Sequence, residues 1–175
     1  MTNFNESIFS TQQQKISIPV DVKVVFVADL FAEHYVGGAE LTTQALIDEC
    51  PLPYVKILSR DLNISLLKDG VDKFWVFGNF AQMNPELIPT IIGNLKYTVL
   101  EYDYKFCRYR SPEKHASATG KTCDCPEQMN GKLISAFYYG SKGMWWMSEA
   151  QKEKYLTLFP FLSEKESELN VQKKN

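Results

Sequence analysis

The chain has 175 residues, 45% hydrophobic and 23% charged, with 19 Lys plus Arg against 21 Asp plus Glu and a formal net charge of −2. These values suit one ordinary globular domain and argue against wholesale disorder and against a strongly basic nucleic-acid binder. Four cysteines are too few for a disulfide scaffold at this length.

No apolar run approaches the roughly 20 residues of a membrane helix. The polar N-terminus lacks the basic start and apolar stretch of a secretory signal, so the expected location is cytoplasmic, where disulfides are rare. Residues 1–20 read as a loose lead-in closed by Pro19. Val22 to Asp29 is an apolar, β-branched run ending in an acid, as in a buried parallel strand. A loop to Gly37-Gly38 follows, then a helix over Glu40–Cys50 with Leu41, Ala45 and Leu46 inward, stopped by Pro51 and Pro53.

The alternation repeats. Tyr54–Leu58 and Lys73–Phe77 read as strands around a short ambiguous stretch ended by Gly70. Asn84-Pro85 reads as a helix cap with proline in the first position. Leu87, Ile88, Ile91, Ile92 and Leu95 then make a helical stripe, with Pro89 expected to bend its start. Tyr97–Glu101 is a fourth strand. Residues 102–130 are polar and break the pattern as a long loop of the kind that carries function. A helix over 132–139 and a short strand over 144–147 restore it. Ser148 to Gln151 is a capping box, and the helix it opens runs to Phe159 before Pro160. From Ser163 onward a charged tail or linker is expected.

Strands alternating with helices predict a three-layer, Rossmann-like α/β domain with a mostly parallel sheet over residues 21–162. Such sheets bind ligands at the carboxyl ends of their strands. Gly37-Gly38-Ala39-Glu40 lies at one such end, where the backbone allows close approach and a helix start favours an anion. His34, beside it, is a candidate ligand contact. The G-x-G-x-x-G and G-x-x-x-x-G-K-[ST] patterns are both absent.

Strand, loop and Gly-Gly-Ala-Glu opening a helix resembles the N-terminal half of retaining glycosyltransferases of the two-Rossmann (GT-B) architecture, in the broad family-four-like group. Trp145-Trp146-Met147-Ser148-Glu149-Ala150-Gln151, followed by Tyr155 and Phe159-Pro160, is similar to a late segment of that domain. The resemblance spans about residues 22–162. It implies transfer of a sugar from a nucleotide-sugar donor to an acceptor hydroxyl, with this half holding the acceptor. It also implies that Gly37 and Gly38 face the donor diphosphate and that Glu40 anchors the turn. The nucleotide pocket belongs to a second, C-terminal domain, for which too few residues follow Leu162. The chain is therefore expected to be a truncated, split or repurposed half, incomplete alone, and if split its donor-binding partner is a separate chain.

Asp103 stands near the position where family members often carry a polar residue, commonly His. A carboxylate there can bind sugar hydroxyls or accept a proton from an attacking one. Arg108, in a stretch with Lys105, Arg110, Lys114 and Lys121, is a candidate for binding an anionic group. Cys107, His115, Cys123 and Cys125 offer four ligands within one polar segment, a candidate structural zinc site. Their spacing is not that of a standard finger, and a redox pair or free thiols are the alternatives. Two rivals to the transferase reading are a non-catalytic binding module on the same fold, with or without a zinc staple, and a different α/β enzyme using Asp29, Asp103 or the cysteine cluster.

Overall fold

A computed structural model describes residues 16–163. Five strands form one sheet in the order β2-β1-β3-β4-β5, and every neighbouring pair is parallel. They are β1 (Val24–Ala28), β2 (Tyr54–Leu58), β3 (Phe74–Phe77), β4 (Lys96–Glu101) and β5 (Met144–Trp146). The helices are α1 (Gly38–Asp48), α2 (Ile64–Asp69), α3 (Ile88–Asn94), α4 (Pro112–Thr119), α5 (Met129–Gly140) and α6 (Glu149–Leu158). This is the α/β architecture the alternation predicts. From β1 the chain steps one way to β2, then crosses back over β1 to β3 and continues outward to β5. The turning point of that path lies between β1 and β3, where doubly wound sheets open their ligand crevice.

Strand residues alternate between two faces. Val25, Val27, Ile57, Trp75, Phe77, Tyr97 and Val99 face the larger core, which α2, α3, α5 and α6 cover. Its centre is aromatic: Phe77 meets Phe80, Tyr97 and Phe137 edge-on, and the buried Tyr97 hydroxyl donates to the Phe137 carbonyl at 2.6 Å. Val24, Phe26 and Ala28 face the other way, against Phe31 and Ile47. On that second face α1 is the helix that packs. Phe74, Val76, Thr98, Leu100 and Trp145 line an open apolar groove beside it.

Three expectations need correction. The buried residues of α1 are Thr43 and Ile47, while Leu41 and Ala45 are exposed. The helix begins at Gly38, and Ile47 packs beneath it with the β1 side chains, so the inward face is rotated from the one the leucine pattern suggested. The lead-in is not loose throughout either, because Ile18 is buried beside Trp75; residues 1–15 lie outside the described residues, as does the tail from 164. The proline in the third helix has a local effect: a 3-10 turn over Pro85–Leu87 precedes α3, and Pro89 stands in its first turn. The 102–130 stretch is not one loop. It contains α4 and a 3-10 turn at Cys125–Glu127. Ser111 caps α4 by accepting from the Lys114 amide, and Gly120 ends it with φ of 68°.

Candidate functional site

The carboxyl ends of the strands carry three arrangements. At the first, between β1 and β3, the Asp29 carboxylate accepts from the amides of Ala81 (2.9 Å) and Gln82 (3.0 Å) and from the Ser59 hydroxyl. It ties the ends of three strands together and occupies the place an incoming anion would take on those amides. Beside it, α1 opens at Gly38. The Glu40 side chain folds back over Gly37, close enough that a Cβ there would lie 2.5 Å from its Oε2. Gly38 faces open space, with nothing within 4 Å of a built Cβ. His34 is exposed, and its Nδ1 accepts from the Phe31 amide at 3.3 Å, closing the turn before α1.

The second arrangement starts at the end of β4. Glu101 points into the larger core and is fully buried. It accepts from Lys105 Nζ at 2.8 Å and from the Tyr138 hydroxyl. Burial pushes the Glu101 carboxyl above the usual carboxylate range, against the opposing pull of Lys105 and Tyr138. Burial likewise raises the Tyr138 phenol, with the Glu101 charge adding to it. Asp103 stands at the outer end of this network. Its Oδ2 accepts from Arg110 Nε at 2.9 Å, and Arg110 reaches on to the Asn79 side-chain oxygen at 3.4 Å. Asp103 Oδ1 has no hydrogen-bond partner, and Lys105 Nζ lies 3.9 Å away. Tyr102 links this rim to the first: its hydroxyl and the Thr43 hydroxyl of α1 are 2.7 Å apart.

Lys105, Arg108 and Arg110 line a hollow of about 530 Å³ with Phe80, Met83 and Ile134. Lys105 is committed to Glu101 and Arg110 to Asp103, whereas Arg108 is exposed and lies over the Tyr109 ring. Lys114 and Lys121 are exposed and do not line the hollow. The aromatics between the bases serve packing. Tyr104 stacks on Tyr155, and Phe106 is buried against Tyr155 and Phe159.

The third arrangement brings together Cys107, His115, Cys123 and Cys125. Their ligand atoms all lie within 4.8 Å of one another. His115 Nδ1 is 3.8 Å from Cys107 Sγ and 3.3 Å from Cys125 Sγ, and Cys123 Sγ is 3.7 Å from Cys107 Sγ. All four cysteines of the chain are free thiols; Cys107, His115 and Cys125 are buried and Cys123 is half-buried. Burial, joined by the neighbouring Cys107 and Cys125 thiols, pushes the Cys123 thiol up to about 12. Asp124 Oδ1 lies 3.8 Å from the other imidazole nitrogen of His115. Gly131 of α5 seats the turn that carries Cys125, since a Cβ there would lie 2.0 Å from the Cys125 carbonyl oxygen.

No protein-family model, no curated protein and no solved structure matches this chain. Its own residues therefore carry the functional argument.

Among the residues that the sequence singles out, Gly37, Gly38, Glu40 and His34 share the β1–α1 corner. Asp103 and Arg108 belong to the β4 rim, and the four metal-ligand candidates converge in one cluster. Glu101, Lys105 and Tyr138 make a buried charged network that the sequence does not single out. A lysine four residues after an acid at a strand end was the available signal. It is a weak one, because the same spacing is common on exposed surfaces.

Proposed function

We propose that this chain forms the acceptor-side part of a sugar-transfer site. The supporting observation is the setting of Gly37-Gly38-Ala39-Glu40. This turn opens α1 at the carboxyl end of β1, and the Tyr102–Thr43 contact ties it to the rim that carries Asp103. On this reading Gly38 is the open position where a donor diphosphate approaches. Asp103, its carboxylate held by Arg110, shapes the acceptor side of the rim.

The test is thermal stability against a panel of nucleoside diphosphates, nucleotide sugars and oligosaccharides. A ligand at a hundredfold excess over its Kd should raise the melting temperature by about 5–10 °C. Gly38→Val should abolish the gain from a nucleotide without lowering the unliganded melting temperature, because its Cβ has room. Because this part holds the acceptor, a panel that produces no shift from any saccharide overturns the reading.

A second reading rests on the hollow beside Arg108, which suits an anionic ligand held without chemistry. Here the domain is a binding module. It predicts a shift with simple phosphorylated or carboxylated compounds that is lost in Arg108→Ala and unaffected by Gly38→Val.

A further inference from the structure

We propose that Cys107, His115, Cys123 and Cys125 bind one zinc(II) ion as a closed structural centre that holds the α4 segment onto the sheet. The first ground is distance. With Zn–S near 2.3 Å and Zn–N near 2.0 Å, a tetrahedral ion places its sulfurs about 3.8 Å apart and each sulfur about 3.5 Å from the nitrogen. The cluster shows 3.7 Å between Cys123 and Cys107, and 3.8 and 3.3 Å from His115 Nδ1 to Cys107 and Cys125. A disulfide needs the two sulfurs at about 2.05 Å, far inside these separations.

The second ground is what α4 lacks. The one residue that this helix buries is His115. A helix normally docks through an apolar stripe; this one docks through a single imidazole that points at three thiols. The strand-end segment before it buries Phe106 and Cys107, and the turn after it buries Cys125. Three of the four ligands thus supply the inward contacts of a stretch that has little apolar surface of its own. An ion in their midst gives these polar side chains the cohesion that leucines give elsewhere.

The ligand chemistry selects the ion. Three thiolates and an imidazole suit zinc and exclude the oxygen-seeking calcium and magnesium. Four protein ligands around one ion leave no open position, the pattern of structural rather than catalytic zinc. Binding releases the three thiol protons to solvent, so Zn²⁺, three thiolates and a neutral imidazole leave a centre of net charge −1. Asp124 Oδ1 lies on the far side of the His115 ring, 3.8 Å from Nε2, beyond hydrogen-bond distance. This inference is independent of sugar transfer: a chain that binds zinc and transfers nothing leaves it intact.

The experiment uses the full chain, purified without chelators, for elemental analysis. The chain is then demetallated under reducing conditions and titrated with cobalt(II). The expected results are one zinc per chain as purified, and saturation by one equivalent of cobalt. The cobalt form should show the intense visible bands of tetrahedral coordination and thiolate charge-transfer absorption, and one equivalent of zinc should bleach both. Cys123→Ser, at the half-buried ligand, should keep the far-ultraviolet circular dichroism of the fold and lose much of the charge-transfer intensity. Cys50→Ser, outside the cluster, should bind as the parent does. The proposal is overturned by a stoichiometry other than one, by the weak bands of octahedral cobalt, or by undiminished charge transfer in Cys123→Ser. If Cys123→Ser does not fold, the parent titration and Cys50→Ser decide the matter.

Discussion

The β1–α1 corner and the β4–α5 corner close the same edge of the sheet by different means. At β1, buried Phe31 packs under the turn, backbone bonds from His34 and Tyr35 to the Phe31 carbonyl close it, and the Asp29 carboxylate clasps the Ala81 and Gln82 amides. At β4 the chain runs through a far longer polar stretch that carries a buried ion pair, the Asp103–Arg110 pair and the cluster of Cys107, His115, Cys123 and Cys125. Arg110 adopts the left-handed conformation there, with φ of 58°, and its amide donates to the Cys107 carbonyl at 2.8 Å. A short corner can be built from apolar burial and backbone bonds. A long polar one needs charge and coordination, so it should respond to conditions that leave the first corner untouched.

The largest expected effect comes from metal removal. Chelation under reducing conditions should expose amide hydrogens of 103–128 to exchange while those of β1 and α1 stay protected, and hydrogen exchange by mass spectrometry reads both at once. Equal loss of protection at the two corners would erase the contrast.

Lys105→Met should follow, at about 3–5 kcal/mol of destabilisation, because it strands the Glu101 carboxylate in the core. Adding Glu101→Gln should restore most of that loss, and chemical denaturation of the two variants measures it. The pH dependence has a definite sign. Glu101 has its folded pKa raised by burial, so the folded protein holds the proton more tightly than the unfolded chain. Its ionisation therefore subtracts stability as pH rises from the ordinary carboxylate value toward the raised one. Glu101→Gln should flatten that stretch of the stability–pH curve.

Asp124→Ala, which removes an exposed carboxylate 3.8 Å from His115 Nε2, should weaken zinc binding by less than about 10-fold and should leave the metal-free melting temperature unchanged. Competition with a chromophoric chelator gives the ratio.

The smallest effect belongs to the exposed Lys56–Glu33 pair near the first corner. Its hydrogen bond to Lys56 lowers the Glu33 pKa, so any contribution is present above the ordinary carboxylate range and is lost as pH falls through the lowered value. Lys56→Met should shift the melting temperature by no more than about 3 °C at neutral pH, and less in acid. A larger change would mean that the first corner leans on charge too.

The parallel α/β class was legible because β-branched runs and capped helical stripes are local signals. Tyr54–Leu58 matches β2 at both ends, and the Asn84 and Ser148 side chains accept the amide bonds expected of caps. Helix α4 was missed because the residue it buries is His115 rather than an apolar stripe, although Ser111-Pro112 and Gly120 marked its ends. The inward face of α1 was misplaced because a threonine, Thr43, is buried through bonds to the Ala39 carbonyl and the Tyr102 hydroxyl, which hydrophobicity does not register. The four ligands were legible as residue types. Their convergence was not, since it depends on the path of α4 between them. The Glu101–Lys105–Tyr138 network joins side chains from β4, its following turn and α5, a pairing that strand and helix periodicity does not encode.

The open groove on the second face of the sheet gives the protein an optical handle. Its three tryptophans sit in three settings. Trp75 is fully buried, Trp146 lies against Tyr155 with ring centroids 4.9 Å apart, and Trp145 stands 53% exposed on the groove. Acrylamide should quench the emission of Trp145 and spare that of Trp75. With Trp146→Phe in place, the quenchable fraction becomes a direct gauge of how open that side of the sheet is in solution.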